Sequence, residues 1–106
     1  MITFDDFMKL EIKMGTVTAA EAVPGTDKLI RLEIDLGSET RQVVAGLAPA
    51  YRAEQLVGEQ MPLLVNLEPR RVRGVESQGM ILAVNVEGQP VLLTPEREVP
   101  PGSQVL

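Results

Sequence analysis

The chain has 106 residues, enough for one domain around one core, and its 44% hydrophobic and 24% charged content is that of a globular fold and not of a disordered chain. It has no Cys and no His, which excludes disulfides, thiol nucleophiles and imidazole proton shuttles and removes the soft metal ligands. A protein with no catalytic chemistry, no metal and no cofactor is therefore expected. A net charge of −5 argues against a uniformly phosphate-binding surface, so any nucleic-acid contact has to come from an uneven distribution of charge.

The start, Met1-Ile2-Thr3-Phe4-Asp5-Asp6, is acidic and lacks the basic and apolar regions of a signal peptide, and no apolar run approaches the ~20 residues that span a bilayer. A cytoplasmic protein without a membrane segment is the expectation. Phe4, Phe7 and Met8 fall at helical spacing behind Thr3 as a cap, with Asp5 and Asp6 in the first turn. This predicts a short helical turn over residues 4–9 that plugs a barrel end or meets a partner chain.

From Leu10 the pattern alternates. Leu10, Ile12 and Met14 share a face, and after Gly15 the apolar positions shift to Val17 and Ala19, which predicts a β-bulge at Gly15 that lets one long strand serve both sides of a small barrel. Pro24-Gly25-Thr26-Asp27 is a turn signal. Ile30, Leu32, Ile34 and Leu36 then point inward and Arg31, Glu33 and Asp35 outward, Gly37-Ser38 turns the chain, and residues 41–47 form a third strand.

Residues 49–57 carry helix punctuation, with Pro49 at the start, Leu56 and Val57 on a buried side and Gly58 just past the end. Strands are expected over 61–67, 80–84 and 91–93, and Pro100-Pro101-Gly102 precedes the apolar Val105-Leu106. The periodicity predicts a small all-β barrel with one helix. Three strands, a helix and further strands is the order of an OB barrel: five strands, one helix between strands 3 and 4, and short terminal extensions, in a single domain over 1–106.

The runs L-E-I-K-M-G-T-V (10–17), V-P-G-T-D-K-L (23–29), R-Q-V-V-A-G-L (41–47), V-N-L-E-P-R-R-V-R-G-V-E-S-Q-G-M (65–80) and V-P-P-G-S (99–103) closely resemble the tRNA-binding domain family, nearly end to end. That family includes the C-terminal domain or separate beta subunit of methionyl-tRNA synthetase and stand-alone tRNA-binding proteins. The resemblance implies an OB barrel that pairs into a symmetric homodimer through its terminal elements. It further implies binding of tRNA by shape, alone or in trans to the catalytic unit of an aminoacyl-tRNA synthetase. The CsaA-type export chaperones share the fold and a similar arginine stretch, but resemble this chain less after the arginines, where S-Q-G-M is typical of the tRNA-binding branch.

Between Asn66 and Gly74, Arg70, Arg71 and Arg73 stand against the single acid Glu68, whereas residues 75–106 hold Glu76, Glu87, Glu96 and Glu98 against Arg97. Pro69 and Gly74 bracket the arginines in a loop after a strand, where the guanidinium fork can match phosphate oxygens in pairs. The competing reading is a solvated turn whose arginine stems cover apolar surface. Lys28, at a turn, and Arg31 and Arg41, on the strands that form the binding face of most OB domains, are further candidate contacts, against which stands cross-strand pairing with Glu33, Asp35 or Glu39. Asn66, Ser77 and Gln78 supply neutral hydrogen bonds. Met80 is either a soft contact to a base or ribose or a core residue, the core reading being slightly favoured by physics alone. Glu76 sets an anion beside the arginines and can orient one of them. With Phe4, Phe7 and Tyr51 as its only aromatics, the chain is poorly supplied for base stacking, so phosphate and 2′-hydroxyl contacts to folded RNA are what remain. A peptide-binding chaperone of the CsaA kind is the alternative. An enzyme finds no nucleophile, base and orienting group in the sequence.

Overall fold

The structure, a computed structural model, describes residues 1–106. Its first element is a single turn, α1 (Phe4–Phe7), closed by a reciprocal cap: the Asp6 amide donates to Thr3 Oγ1 at 3.1 Å and the Thr3 amide to Asp6 Oδ2 at 3.3 Å. The hydrogen bond from the Thr3 amide, followed by that from Lys9, holds the Asp6 carboxyl below its ordinary range.

The long strand is β1 (Ile12–Ala22), and it does serve two neighbours. Residues from Ile12 to Thr16 pair with β4 (Gln60–Leu64), and residues from Thr16 to Ala22 pair with β2 (Ile30–Asp35). The expected bulge at Gly15 is displaced. Gly15 pairs regularly with Met61 and lies under Ile34 and Leu36, while the register shift falls between Val17 and Ala19. The missing side chain at Gly15 thus serves close packing, and the bend lies two to three residues further on.

β2 buries one whole face, with Ile30, Leu32 and Ile34 at 1% exposure or less, and it pairs with β3 (Thr40–Ala45). The following helix is shorter than its punctuation suggests. The 47–51 segment is spent on a turn in which the Tyr51 amide donates to the Leu47 carbonyl at 2.9 Å, and α2 is only Ala53–Leu56. Leu56 is buried as expected, but Val57 is extended and half exposed.

After β4 come β5 (Arg70–Val72), β6 (Val75–Ser77), β7 (Met80–Ile81), β8 (Ala83–Val86) and β9 (Gln89–Leu92). The expected strand over 61–67 therefore stops at Leu64, and the region after it holds two hairpins, β5–β6 and β8–β9. The main antiparallel sheet runs β3-β2-β1-β4-β7, with α2 between the third and fourth strands.

The seam between its two edges is closed by side chains as much as by ladder bonds. The Gln78 amide donates to the Gln42 carbonyl at 2.8 Å, Gln42 Nε2 to the Glu76 carbonyl at 2.8 Å, and the Val44 amide to Ser77 Oγ at 3.0 Å. This gives the nearly closed five-stranded barrel of an OB-like fold. The C-terminal tail lies along the start of β1, with Met14 donating to the Ser103 carbonyl and Val105 to the Ile12 carbonyl, both at 2.8 Å. No helix is long and apolar enough to cross a membrane.

Candidate nucleic-acid interface

The arginine stretch folds as the β5–β6 hairpin, with Arg73 and Gly74 as its two turn residues at φ 53° and 81°. Positive φ at both central positions is the type I′ geometry that follows the right-handed twist of paired strands. The hairpin lifts Arg70, Arg71 and Arg73 off the barrel, and all three are exposed. Arg71 Nη1 donates to the Gly74 carbonyl at 2.8 Å across the turn, leaving most of its fork free, and Arg70 and Arg73 form no ion pair. Glu76 stands opposite Arg71 in register yet makes no bridge to it.

Two open clefts flank the hairpin. One, of about 340 Å³, lies between the 25–29 turn and Arg73, so that Lys28 and Arg73, neither of them ion-paired, line the same hollow. The other, of about 380 Å³, lies between the 67–70 and 77–80 segments and is lined by Leu67, Glu68, Arg70, Ser77, Gly79 and Met80. Met80 is 43% exposed, so it is a surface residue at this cleft and not the core residue that physics alone favours.

The strand arginines are occupied differently. Arg31 Nε donates to Glu21 Oε1 at 2.8 Å, and its Nη1 to Glu33 at 3.4 Å and Gln42 at 3.3 Å. The hydrogen bond to Glu21 is the main reason its guanidinium pKa lies above the ordinary value. Arg41 is bound more firmly still: Nε donates to Glu39 at 2.7 Å, and Nη1 to the carbonyls of Val65 at 2.6 Å and Gln78 at 3.2 Å. Arg41 in turn holds the Glu39 carboxyl below its usual range.

The neutral candidates are also engaged in the fold. Asn66 clamps the lead-in to β1, accepting from the Glu11 amide at 2.9 Å and donating to the Lys9 carbonyl at 2.7 Å. Ser77 is 2% exposed and divides its hydroxyl between the Val44 amide and the Gly79 carbonyl. Gln78 Oε1 accepts from the Gln42 amide at 3.1 Å. The structure therefore gathers Lys28, Arg70, Arg71, Arg73 and Met80 on and around the hairpin, and uses Arg31, Arg41, Asn66, Ser77 and Gln78 chiefly to tie strands. Leu67 and Glu68 also line the cleft, and neither is among the contacts expected from the sequence. Their only signal is their place just before the arginines.

An antiparallel barrel with its helix between β3 and β4 and a cationic hairpin at the rim defines an OB-like domain of the kind that presents loops to nucleic acids. Residues 12–104 match the tRNA binding domain family, and the chain belongs to that family. It is 51% identical over 102 residues to a methionine–tRNA ligase of Methanothrix thermoacetophila, and 50% identical over 105 residues to that of Parabacteroides distasonis. The match takes in 96% and 98% of this chain but only 15% and 16% of those relatives' length. Among solved structures it is similar to the MetRS related protein of Pyrococcus horikoshii, at 39% identity and a TM-score of 0.95 over 100% of this chain and 98% of that one. It is also similar to the chaperone CsaA of Bacillus anthracis, at 40% identity and a TM-score of 0.91 over 100% and 99%.

Proposed function

We propose that the chain is a non-catalytic cytoplasmic module that holds folded tRNA by its sugar–phosphate contour, as a symmetric homodimer, alone or in trans to a methionyl-tRNA synthetase catalytic unit. The observation that carries this reading is the contrast among the cations: those on the β5–β6 hairpin and the adjacent turn have no carboxylate partner, whereas Arg31 and Arg41 do. A free guanidinium at a rim can release counterions from a phosphate, and one already paired gains little by exchanging partners. Neither cleft beside the hairpin is lined by an aromatic side chain, which disfavours a base-stacking reader of single strands.

Affinity for intact tRNA is expected to fall with salt at a log–log slope of about −2 to −4, as for a few phosphate contacts. It is also expected to exceed affinity for the same tRNA cut into fragments. Equal affinity for both, or a salt-independent signal, refutes contour recognition.

The dimer is supported by an apolar hollow of about 160 Å³ where α1 meets the C-terminal tail, with Phe4, Met8, Leu10, Val105 and Leu106 among its walls. Phe4 is 74% and Met8 53% exposed, a concentration of apolar surface that a second copy would cover. Phe4→Glu with Met8→Glu is expected to give a folded monomer in sedimentation. It should also weaken tRNA binding by roughly ten-fold or more, because paired sites no longer act together. A wild-type protein that sediments as a monomer at micromolar concentration refutes the pairing.

The likeness to the Bacillus anthracis chaperone, together with exposed Val84, Val86 and Val91 on the β8–β9 hairpin, favours a second reading as a peptide-binding chaperone. Capture of an unfolded peptide that tRNA does not displace would select it.

A further inference from the structure

We propose that the 380 Å³ cleft between the 67–70 and 77–80 segments seats one unstacked guanine, so that this protein adds a single base-reading contact to its otherwise contour-based hold. Its volume lies within the roughly 300–1,000 Å³ of small-ligand sites. The lining separates into chemistries that a phosphate alone would not use. Leu67 and Met80, 44% and 43% exposed, offer apolar surface against which a base face can lie.

Glu68 and Arg70 line the same cleft, and neither is engaged in an ion pair, with the other or with any other residue. A free carboxylate on a surface meant only for phosphates would be a cost, since it repels them. It becomes useful when the ligand brings hydrogen-bond donors.

A carboxylate accepts only, and it accepts best from two parallel donors. Among the four bases, guanine alone presents two adjacent donors on its pairing edge, N1–H and N2–H. Adenine and cytosine offer one amino group, and uracil one N3–H. Guanine also carries the O6 and N7 acceptors that an arginine fork matches. Glu68 as acceptor and Arg70 as donor, two residues apart in sequence, therefore complement guanine better than any other base. Splayed bases at loops and corners are what proteins commonly read in folded RNA, and this assignment rests on the tRNA reading above for its source of guanine.

The substitution Glu68→Gln separates the two effects by sign. If the cleft only meets phosphates, removing an anion tightens tRNA binding. If it seats guanine, the neutral amide loses one acceptor and tRNA binding weakens, on the order of ten-fold. Titrations of the full chain with 5′-GMP, 5′-AMP, 5′-CMP and 5′-UMP, followed by the Met80 methyl and Gly79 amide resonances, supply the second measurement. GMP is expected to shift both signals at the lowest concentration, and Glu68→Gln and Met80→Ala are each expected to reduce that preference.

Equal shifts with all four nucleotides, no shift with any, or tRNA binding by Glu68→Gln as tight as wild type or tighter overturns the assignment. Displacement of these signals by an unfolded peptide carrying no base, with no response to GMP, likewise overturns it. The two claims fail separately. GMP selectivity without tRNA binding removes the tRNA reading and keeps the guanine cleft. Salt-dependent tRNA binding that Glu68→Gln tightens does the reverse.

Discussion

Replacing Arg70, Arg71 and Arg73 together by glutamine is expected to weaken tRNA binding by roughly two orders of magnitude at 0.1 M salt, and to move the thermal midpoint by no more than about 2 °C. Each phosphate neutralised contributes about 0.7–0.9 to the log–log salt slope, which at 0.1 M is a factor of roughly 5–8 per contact, so Arg71 and Arg73 account for a factor of about 25–64 and loss of the Arg70 contact in the cleft brings the total to the expected loss. The salt slope should flatten in step. Stability is spared because the three side chains are exposed, and the only hydrogen bond lost is the one from Arg71 to the Gly74 carbonyl.

Arg41→Gln should show the opposite profile. That guanidinium holds the carbonyls of Val65 and Gln78 and the Glu39 carboxylate, so its removal is expected to cost about 1–3 kcal/mol of stability while leaving the salt slope unchanged. Filter binding across a salt series and thermal melts of both variants make the comparison. A triple variant that keeps wild-type affinity for tRNA while remaining folded removes the basis of the proposed function.

This contrast also marks where the residues alone stop being informative. The strand at 30–36 is legible because one of its faces is wholly buried, so burial and alternation coincide at Ile30, Leu32 and Ile34. The β8–β9 hairpin is legible only in part: the strands expected over 80–84 and 91–93 overlap β8 and β9, but all four residues of β8 are exposed, so no buried face fixes the strand bounds.

Both hairpins turn on a residue followed by glycine, Arg73-Gly74 and Glu87-Gly88, with the first residue at φ 53° and 50°. Turns of this type are usually announced by Asn or Asp before the glycine. Here the φ > 0 position falls to side chains that do not advertise it, so the β5–β6 segment reads as a loop and the turn joining β8 to β9 goes unmarked.

Among the site residues, Arg31 and Arg73 are indistinguishable as letters. What separates them is register: Glu21 lies directly opposite Arg31 in the β1–β2 pairing, ten residues away in sequence, and supplies the carboxylate that Arg73 lacks. Long-range partnership of this kind decides which cation is free, and no local pattern carries it.

Gly79→Ala is expected to lower stability by about 3 kcal/mol and the melting midpoint by roughly 12–20 °C, the largest single-residue effect on the fold that the site predicts. Gly79 has φ 149°, a conformation side chains rarely adopt, and a Cβ there would stand 2.9 Å from the Leu64 carbonyl oxygen and 3.2 Å from Leu63 Cδ1. The carbonyl belongs to β4 at the point where Leu64 pairs with Met80, so it cannot withdraw without opening the β4–β7 pairing. The Gly79 carbonyl also accepts the Ser77 hydroxyl, whose oxygen in turn receives the Val44 amide, so a shift at Gly79 is felt across the barrel seam. Gly25→Ala is the control, since Gly25 has φ 78° but open space where its Cβ would go. It should cost only about 1 kcal/mol, from backbone strain alone. Calorimetric melts of the two variants separate crowding from strain. If Gly79→Ala melts within 2 °C of wild type, the close approach of the backbone at Gly79 is not what holds the seam, and the cleft beside it has no rigid floor on which to place Met80 and Arg70.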